Sequence, residues 1–129
     1  MQQKLTGFLN RIKGDVTFTS GDYKDCLIPR NSFVYIDPPY LISTATYNEQ
    51  GGWTNQHEVE LYKYLDELTK QGTKWAMSNV FEVNGRTNEG LVEYSSAYTT
   101  HDLTFGYGNS SYQKKEPLSK TREVLVCNY

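Results

Sequence analysis

One short stretch constrains this chain more than any other. Residues 32–36 form a largely apolar run, and the tetrapeptide Asp37-Pro38-Pro39-Tyr40 follows it at once. The run is too short for a helix, and continuous apolar character over this length predicts a strand that is buried on both faces, as in a parallel sheet. Because neither proline can donate a hydrogen bond to a neighbouring strand, the strand must end at Asp37.

The rest of the chain alternates between strand and helix patterns, and its 129 residues fit one domain. Asn55 and Glu58 predict the start of the central helix, and Gly72 predicts its stop. We expect an α/β domain whose sheet is mainly parallel, with the last two strands antiparallel because no crossover helix separates them. Further strands are predicted over residues 15–19, 73–77, 98–103 and 122–128, and further helices over 2–13 and 87–97.

Polar side chains are expected at one edge of this sheet. Ligands of such sheets bind beyond the carboxyl ends of the strands, where Asp37 and the pair Ser78-Asn79 are predicted to lie. An exocyclic aromatic amine is a poor nucleophile because its lone pair is delocalised into the ring. If Asp37 and the Pro38 carbonyl each accept one of its N–H groups, the lone pair is held out of the ring plane. Tyr40 can then lie against the ring face, although the four residues alone also fit a simple strand-ending turn.

Composition excludes some classes of function. The net charge is −2, and only the neighbourhood of Lys114 and Lys115 suggests a basic surface, so nucleic-acid binding needs help from elsewhere. Cys26 and Cys127 lie far apart, and the two histidines have no cysteine or histidine close by in the sequence, so we expect free thiols and no metal site. No signal peptide or membrane span is recognisable, and we expect a cytoplasmic protein.

Several landmarks together resemble one family. Asp37-Pro38-Pro39-Tyr40 after an apolar strand is similar to the catalytic signature of amino-group DNA methyltransferases. The order of residues 20–23, 36–40, 76–79 and 119–129 resembles the Dam-like, D12 class of adenine-specific enzymes. The resemblance covers nearly the whole chain. It implies a Rossmann-like methyltransferase sheet and transfer of a methyl group from S-adenosylmethionine to N6 of adenine in DNA, typically in restriction-modification.

The resemblance also implies roles for individual residues. Asp37 and Pro38 would bind the target amine, Pro39 would stiffen the site, and Tyr40 would stack on the base, which must be flipped out of the duplex. Asp22 and Tyr23, with Asp37, would lie near the cofactor. The loop over residues 44–53 would close over the base. A second loop would approach DNA through Asn109, Ser110, Ser111, Tyr112, Lys114 and Lys115.

The chain departs from the family at one point. The glycine-rich cofactor loop of the family, Phe-x-Gly-x-Gly, and a target-recognition region are absent from these 129 residues. In the family sheet, the strand of that loop lies beside the strand ending at Asp37. We therefore expect residues 1–129 to be a partial catalytic domain that needs a missing N-terminal half or associates with itself. Two alternatives stay open: amino methylation of cytosine N4, RNA or protein, and a non-catalytic fragment that binds DNA or a partner chain.

Overall fold

The computed structural model describes residues 14, 16–42, 52–103 and 121–129. A short 3-10 helix at Tyr23–Asp25 precedes the first strand. None of the described helices is long and apolar enough to cross a membrane. The strands are β1 (Phe33–Ile36), β2 (Lys74–Val83), β3 (Arg86–Thr87), β4 (Thr99–Asp102) and β5 (Thr121–Cys127), and the helices are α1 (Asn55–Lys70) and α2 (Glu89–Ser95).

The strands form one mixed sheet in the order β1-β2-β5-β4, and β3 pairs with β2 as a hairpin. β1 and β2 are parallel and are connected through α1, whereas β2–β3, β2–β5 and β4–β5 are antiparallel. The antiparallel terminal strand is confirmed. A mainly parallel sheet is not confirmed, because among the described strand pairs β1–β2 is parallel and the other three are antiparallel.

The hairpin of β2 and β3 was not predicted, although the sequence carries its signal. Asn84 and Gly85 both have positive φ, at 51° and 77°, as a two-residue type I′ turn requires. An Asn-Gly pair flanked by strand-forming residues is a strong hairpin signal. The turn lets β2 continue to Val83, well beyond the predicted end at Met77.

Helix α1 packs its apolar stripe against the sheet. Leu61, Leu65 and Leu68 are almost fully buried, and each stabilises the fold by roughly 1.5–3 kcal/mol through removal of apolar surface from water. The predicted helix start is wrong by one residue. Thr54 is the N-cap, and the His57 ring nitrogen Nδ1 accepts the Thr54 N–H at 3.1 Å. The residues that complete the core are Trp75, Met77, Phe81, Leu91, Val124 and Val126.

Two sequence predictions about strands are wrong. Residues 16–20 form no strand, and Val16 and Phe18 are 51% and 76% exposed. β1 is not buried on both faces, because it lies at one end of the described sheet and Phe33 and Tyr35 are 56% and 60% exposed. The predicted helix over residues 2–13 falls outside the described residues.

A buried carboxylate connects the two helices. Asn88 Nδ2 donates to both oxygens of Glu58, at 3.0 and 3.1 Å, and Asn88 Oδ1 accepts the Leu91 N–H as the N-cap of α2. Burial raises the pKa of Glu58 above its ordinary value of 4.5, and the hydrogen bond from Asn88 partly opposes that rise. Glu58 therefore orients Asn88, which in turn fixes the start of α2.

We expect Glu58→Ala to lower the free energy of unfolding by about 1–3 kcal/mol, because it leaves the buried Asn88 amide unpaired. Glu58→Gln keeps the shape and an acceptor and should stay within about 1 kcal/mol of the wild type. Since the folded state raises the pKa of Glu58, its contribution to stability is complete in acid and falls as pH rises through that pKa. Glu58→Gln should therefore gain stability relative to the wild type between about pH 4 and pH 7.

Urea unfolding of the three proteins at both pH values measures these differences. A Glu58→Gln variant that is less stable than Glu58→Ala at neutral pH would contradict this account of Glu58.

Candidate active site

Asp37 lies directly beyond the carboxyl end of β1, where the sequence predicts it. The residue is exposed, whereas the following Pro38 is buried. The Ser78 hydroxyl donates a hydrogen bond to Asp37 Oδ1 at 2.7 Å, and the Tyr40 hydroxyl donates a second one to the same oxygen at 3.3 Å. A carboxylate offers about four lone-pair positions, so one held at Oδ1 can still accept hydrogen bonds from a ligand.

The register of the parallel strands explains why Ser78 reaches Asp37. Ile36 lies opposite Met77. The residues that follow them, Asp37 and Ser78, therefore also lie side by side. The predicted proximity of Asp37 and Ser78 is therefore confirmed. Their setting differs from the prediction, because β2 continues past this point and Ser78 is inside a strand rather than at its end.

Two tyrosines border this hydrogen bond. Tyr35 lies on the same face of the sheet as Ser78, and its hydroxyl donates a hydrogen bond to Ser78 Oγ at 3.0 Å. Tyr40 is half-buried, and this burial, followed by the nearby negative charge of Asp37, raises the pKa of Tyr40 to about 12. The Tyr40 phenol thus keeps its proton at neutral pH and acts towards Asp37 as a neutral donor.

A cavity of about 360 Å³ opens beside β1 and has Asp37, Pro38 and Pro39 in its wall. This volume lies within the range of small-molecule sites, which are typically lined by apolar and aromatic side chains with a few polar groups. Such walls fit a flat heterocyclic ligand, and Asp37 is the charged group among them. The other lining residues come from four segments: Tyr23, Cys26, Ile28, Val34, Tyr35, Ile36, Trp53, Leu61 and Tyr64.

Asp22 and Tyr23, which were predicted near the cofactor together with Asp37, share one cavity and differ in a second. Tyr23 lines the same cavity as Asp37, with its ring edge against Tyr64 at 5.2 Å between centroids. Asp22 lines a neighbouring cavity of about 300 Å³, whose wall also includes Tyr23 and Trp53. Asp22 Oδ1 accepts the Lys24 N–H at 2.9 Å as the cap of the 3-10 helix. A turn-forming role for Asp22 is thus present in the structure, and its role at a cofactor stays a prediction.

Most residues of the two predicted loops lie outside the described part of the chain. Of the loop predicted to close over the base, only Gly52 and Trp53 belong to the described part of the chain. The residues predicted to contact DNA all lie outside it: Asn109, Ser110, Ser111, Tyr112, Lys114 and Lys115.

Sequence reasoning placed two residues of the site without their contacts. Ser78 was predicted as a feature of the strand end and not as the direct partner of Asp37, and Trp53 was predicted as the last residue of the loop over the base and not as a wall of this cavity. For Ser78 a signal existed, because Ile36-Asp37 and Met77-Ser78 are matching apolar–polar steps at consecutive strands. For Trp53 no signal existed, since a loop tryptophan follows no periodic pattern.

Comparisons with known proteins confirm the family resemblance of the sequence. The model of the D12 class N6 adenine-specific DNA methyltransferase family matches residues 1–109. The modification methylase StsI of Streptococcus sanguinis is 35% identical over the whole chain, and the type II methyltransferase M.FokI of Planomicrobium okeanokoites is 34% identical over the whole chain. The modification methylase LlaI of Lactococcus lactis subsp. lactis is 39% identical over 74% of the chain.

These relatives are much longer proteins. The chain spans 21% of the length of the first two relatives and 15% of the third. The matched part contains the apolar strand, the Asp-Pro-Pro-Tyr tetrapeptide and the Ser78 strand.

Proposed function

Because this chain belongs to the D12 class of N6 adenine-specific DNA methyltransferases, we propose that it forms the catalytic part of an enzyme that methylates N6 of adenine in DNA. S-adenosylmethionine is the proposed methyl donor. The observation that carries the proposal is Asp37, an exposed carboxylate held at a strand end by Ser78 beside a cavity with aromatic walls. The names of the relatives as modification methylases support a role in restriction-modification.

Asp37 and Pro38 act on the amine in this proposal. The N6 amine donates one N–H to the Asp37 carboxylate and the other to the Pro38 carbonyl, which holds the nitrogen lone pair out of the ring plane. Pro38 and Pro39 restrict the backbone, so the acceptors need little rearrangement during the reaction. The donor, when bound, supplies an electrophilic methyl group. As N6 forms its new bond it must lose one proton, which the exposed Asp37 can accept or pass to water.

Tyr40 holds the base through its ring face. Stacking of an extruded base on an aromatic side chain contributes about 1–3 kcal/mol. The hydroxyl of Tyr40 donates to Asp37 Oδ1 at 3.3 Å, so the amine can approach the other carboxylate oxygen while the ring stacks on the base. Tyr23, Trp53 and Tyr64 offer further flat surfaces in the same cavity for the adenine of the donor.

The open edge of β1 supports a need for further protein. β1 pairs with β2 on one edge, and no strand occupies its other edge within the described ranges. Two large side chains of β1 itself are exposed, Phe33 at 56% and Tyr35 at 60%. We propose that residues 1–129 are a partial catalytic domain, completed by a segment that supplies the glycine loop or by a second copy of the chain. The same open edge favours the alternative of a fragment that binds DNA or a partner chain and has no catalytic activity without that partner.

In the enzyme that carries this segment, Asp37→Ala should lower the rate of methyl transfer by on the order of 10²–10³, because a pre-placed acceptor for the amine is lost. The fold should be kept, since Asp37 is exposed. Transfer of labelled methyl groups to DNA measures the rate, and Glu67→Ala is the matched control because it removes an exposed helix carboxylate paired with Lys70. Near wild-type transfer by Asp37→Ala would contradict the proposal.

Tyr40→Ala should weaken binding of the flipped base, whereas Tyr40→Phe and Tyr40→Trp should retain most of it, because stacking uses the ring face. The Phe variant loses the long hydrogen bond from the hydroxyl to Asp37 Oδ1 and keeps the ring. A fluorescent base analogue at the target position reports flipping. If Phe were as damaging as Ala, the hydroxyl and not the ring would be the active part.

The isolated 129-residue chain should bind S-adenosylmethionine weakly or not at all, because its sequence contains no Phe-x-Gly-x-Gly loop to approach the ligand and, within the described ranges, no strand pairs with the outer edge of β1. Its open strand edge should also make it self-associate. Calorimetric titration and light scattering measure the two properties. Tight binding by a monomer would mean that the chain is a complete cofactor site, which would contradict its interpretation as a partial domain.

A further inference from the structure

We infer that Ser78 is a positioning residue for the catalytic carboxylate, and that Tyr35 fixes the direction of its hydroxyl. The inference rests on the proposed function, since it gives Asp37 its role. The argument starts from three side chains on one face of the sheet. Tyr35 and Asp37 are two residues apart at β1 and project to the same side, and Ser78 lies on the neighbouring parallel strand and contacts both.

The hydrogen bonds of Ser78 have one consistent direction. A serine hydroxyl has a single proton to donate and two lone pairs. Ser78 Oγ lies 2.7 Å from Asp37 Oδ1 but 3.5 Å from the Ile36 carbonyl oxygen, so its proton belongs to the carboxylate. The Tyr35 hydroxyl, at 3.0 Å, fills a lone pair of the same oxygen. The Tyr35 hydroxyl thus donates to Ser78, and the Ser78 hydroxyl donates to Asp37. The two hydrogen bonds of this series strengthen each other.

Ser78 is placed more rigidly than the residue it serves. It is only 8% exposed and lies within β2, which pairs with β1 on one side and with β5 on the other. Asp37 follows the last residue of its strand and is exposed. Without Ser78, its carboxylate could rotate about the side-chain bonds while the backbone stayed in place.

The bond also assigns different tasks to the two carboxylate oxygens. The hydrogen bonds that Ser78 and Tyr40 donate to Asp37 both fall on Oδ1. In this proposal Oδ2 is the oxygen that accepts the N–H of the target amine. Orientation of this kind acts on the reacting geometry and not on the affinity for DNA or for the methyl donor.

The test compares variants of the complete enzyme in methylation of adenine-containing DNA. Ser78→Ala should lower kcat roughly 10- to 100-fold and leave KM for DNA and for S-adenosylmethionine within about twofold. Ser78→Thr retains a hydroxyl and should recover most of the lost rate. Ser95→Ala is the matched control, because Ser95 is also buried, at 4% exposed, and its hydroxyl donates to the Val92 carbonyl within α2, away from Asp37. This control should leave kcat unchanged.

A second variant tests the series of hydroxyl groups and does not disturb the buried strand. Tyr35→Phe keeps the exposed ring and should lower kcat by several-fold, and it should have no further effect in a Ser78→Ala background. If the losses in kcat of Tyr35→Phe and Ser78→Ala add up in the double variant, the two hydroxyl groups do not act in series. Wild-type kcat in Ser78→Ala, or a loss that appears in KM alone, would overturn the positioning role while the adenine activity of the wild type stands. A wild type that methylates no adenine would overturn the proposed function itself, and the inference with it.

Discussion

The parallel pairing of β1 with β2 is the contact on which the site depends. It sets Ile36 opposite Met77 and so brings Asp37 beside Ser78, although 41 positions separate the two residues in the sequence. A slip of the register by one residue would turn Asp37 to the helix-covered face and break this contact. Helix α1 holds the register, because its leucines pack on the face formed by Trp75 and Met77.

The sequence predicts those parts of the fold in which local pattern and tertiary packing agree. β1, the central helix and the antiparallel last strands follow from apolar runs, helical periodicity and a short connection, and the structure has them where they are expected. Residues 16–20 show the opposite case, because strand-forming residues make no strand without a neighbour to pair with. The prediction that β1 is buried on both faces is also wrong. An apolar run does not indicate whether its strand lies inside a sheet or at its edge.

The site was predictable to a similar degree. The tetrapeptide predicts the position of Asp37 at the end of β1 because the order of a strand, a carboxylate and two prolines is local in sequence. The hydroxyl that holds the carboxylate is not local, and only the register of two strands reveals it. Asp22 illustrates how a residue in a family motif can have a structural task of its own, since its carboxylate caps the 3-10 helix. The order of motifs in a sequence does not show whether such a residue caps a turn, contacts the cofactor or does both.

The strand order has a consequence for how the chain is made. β5, the last strand in the sequence, lies in the interior of the sheet between β2 and β4. The β1–α1–β2 unit can form as soon as its residues leave the ribosome, whereas β4 must wait, because its described sheet neighbour is synthesised after it. Until β5 inserts, β2 offers the edge that β5 will occupy to the surrounding solution. A chain whose β1–α1–β2 unit forms first would pass through a state in which Asp37 and Ser78 already meet while the edge of β2 is still open.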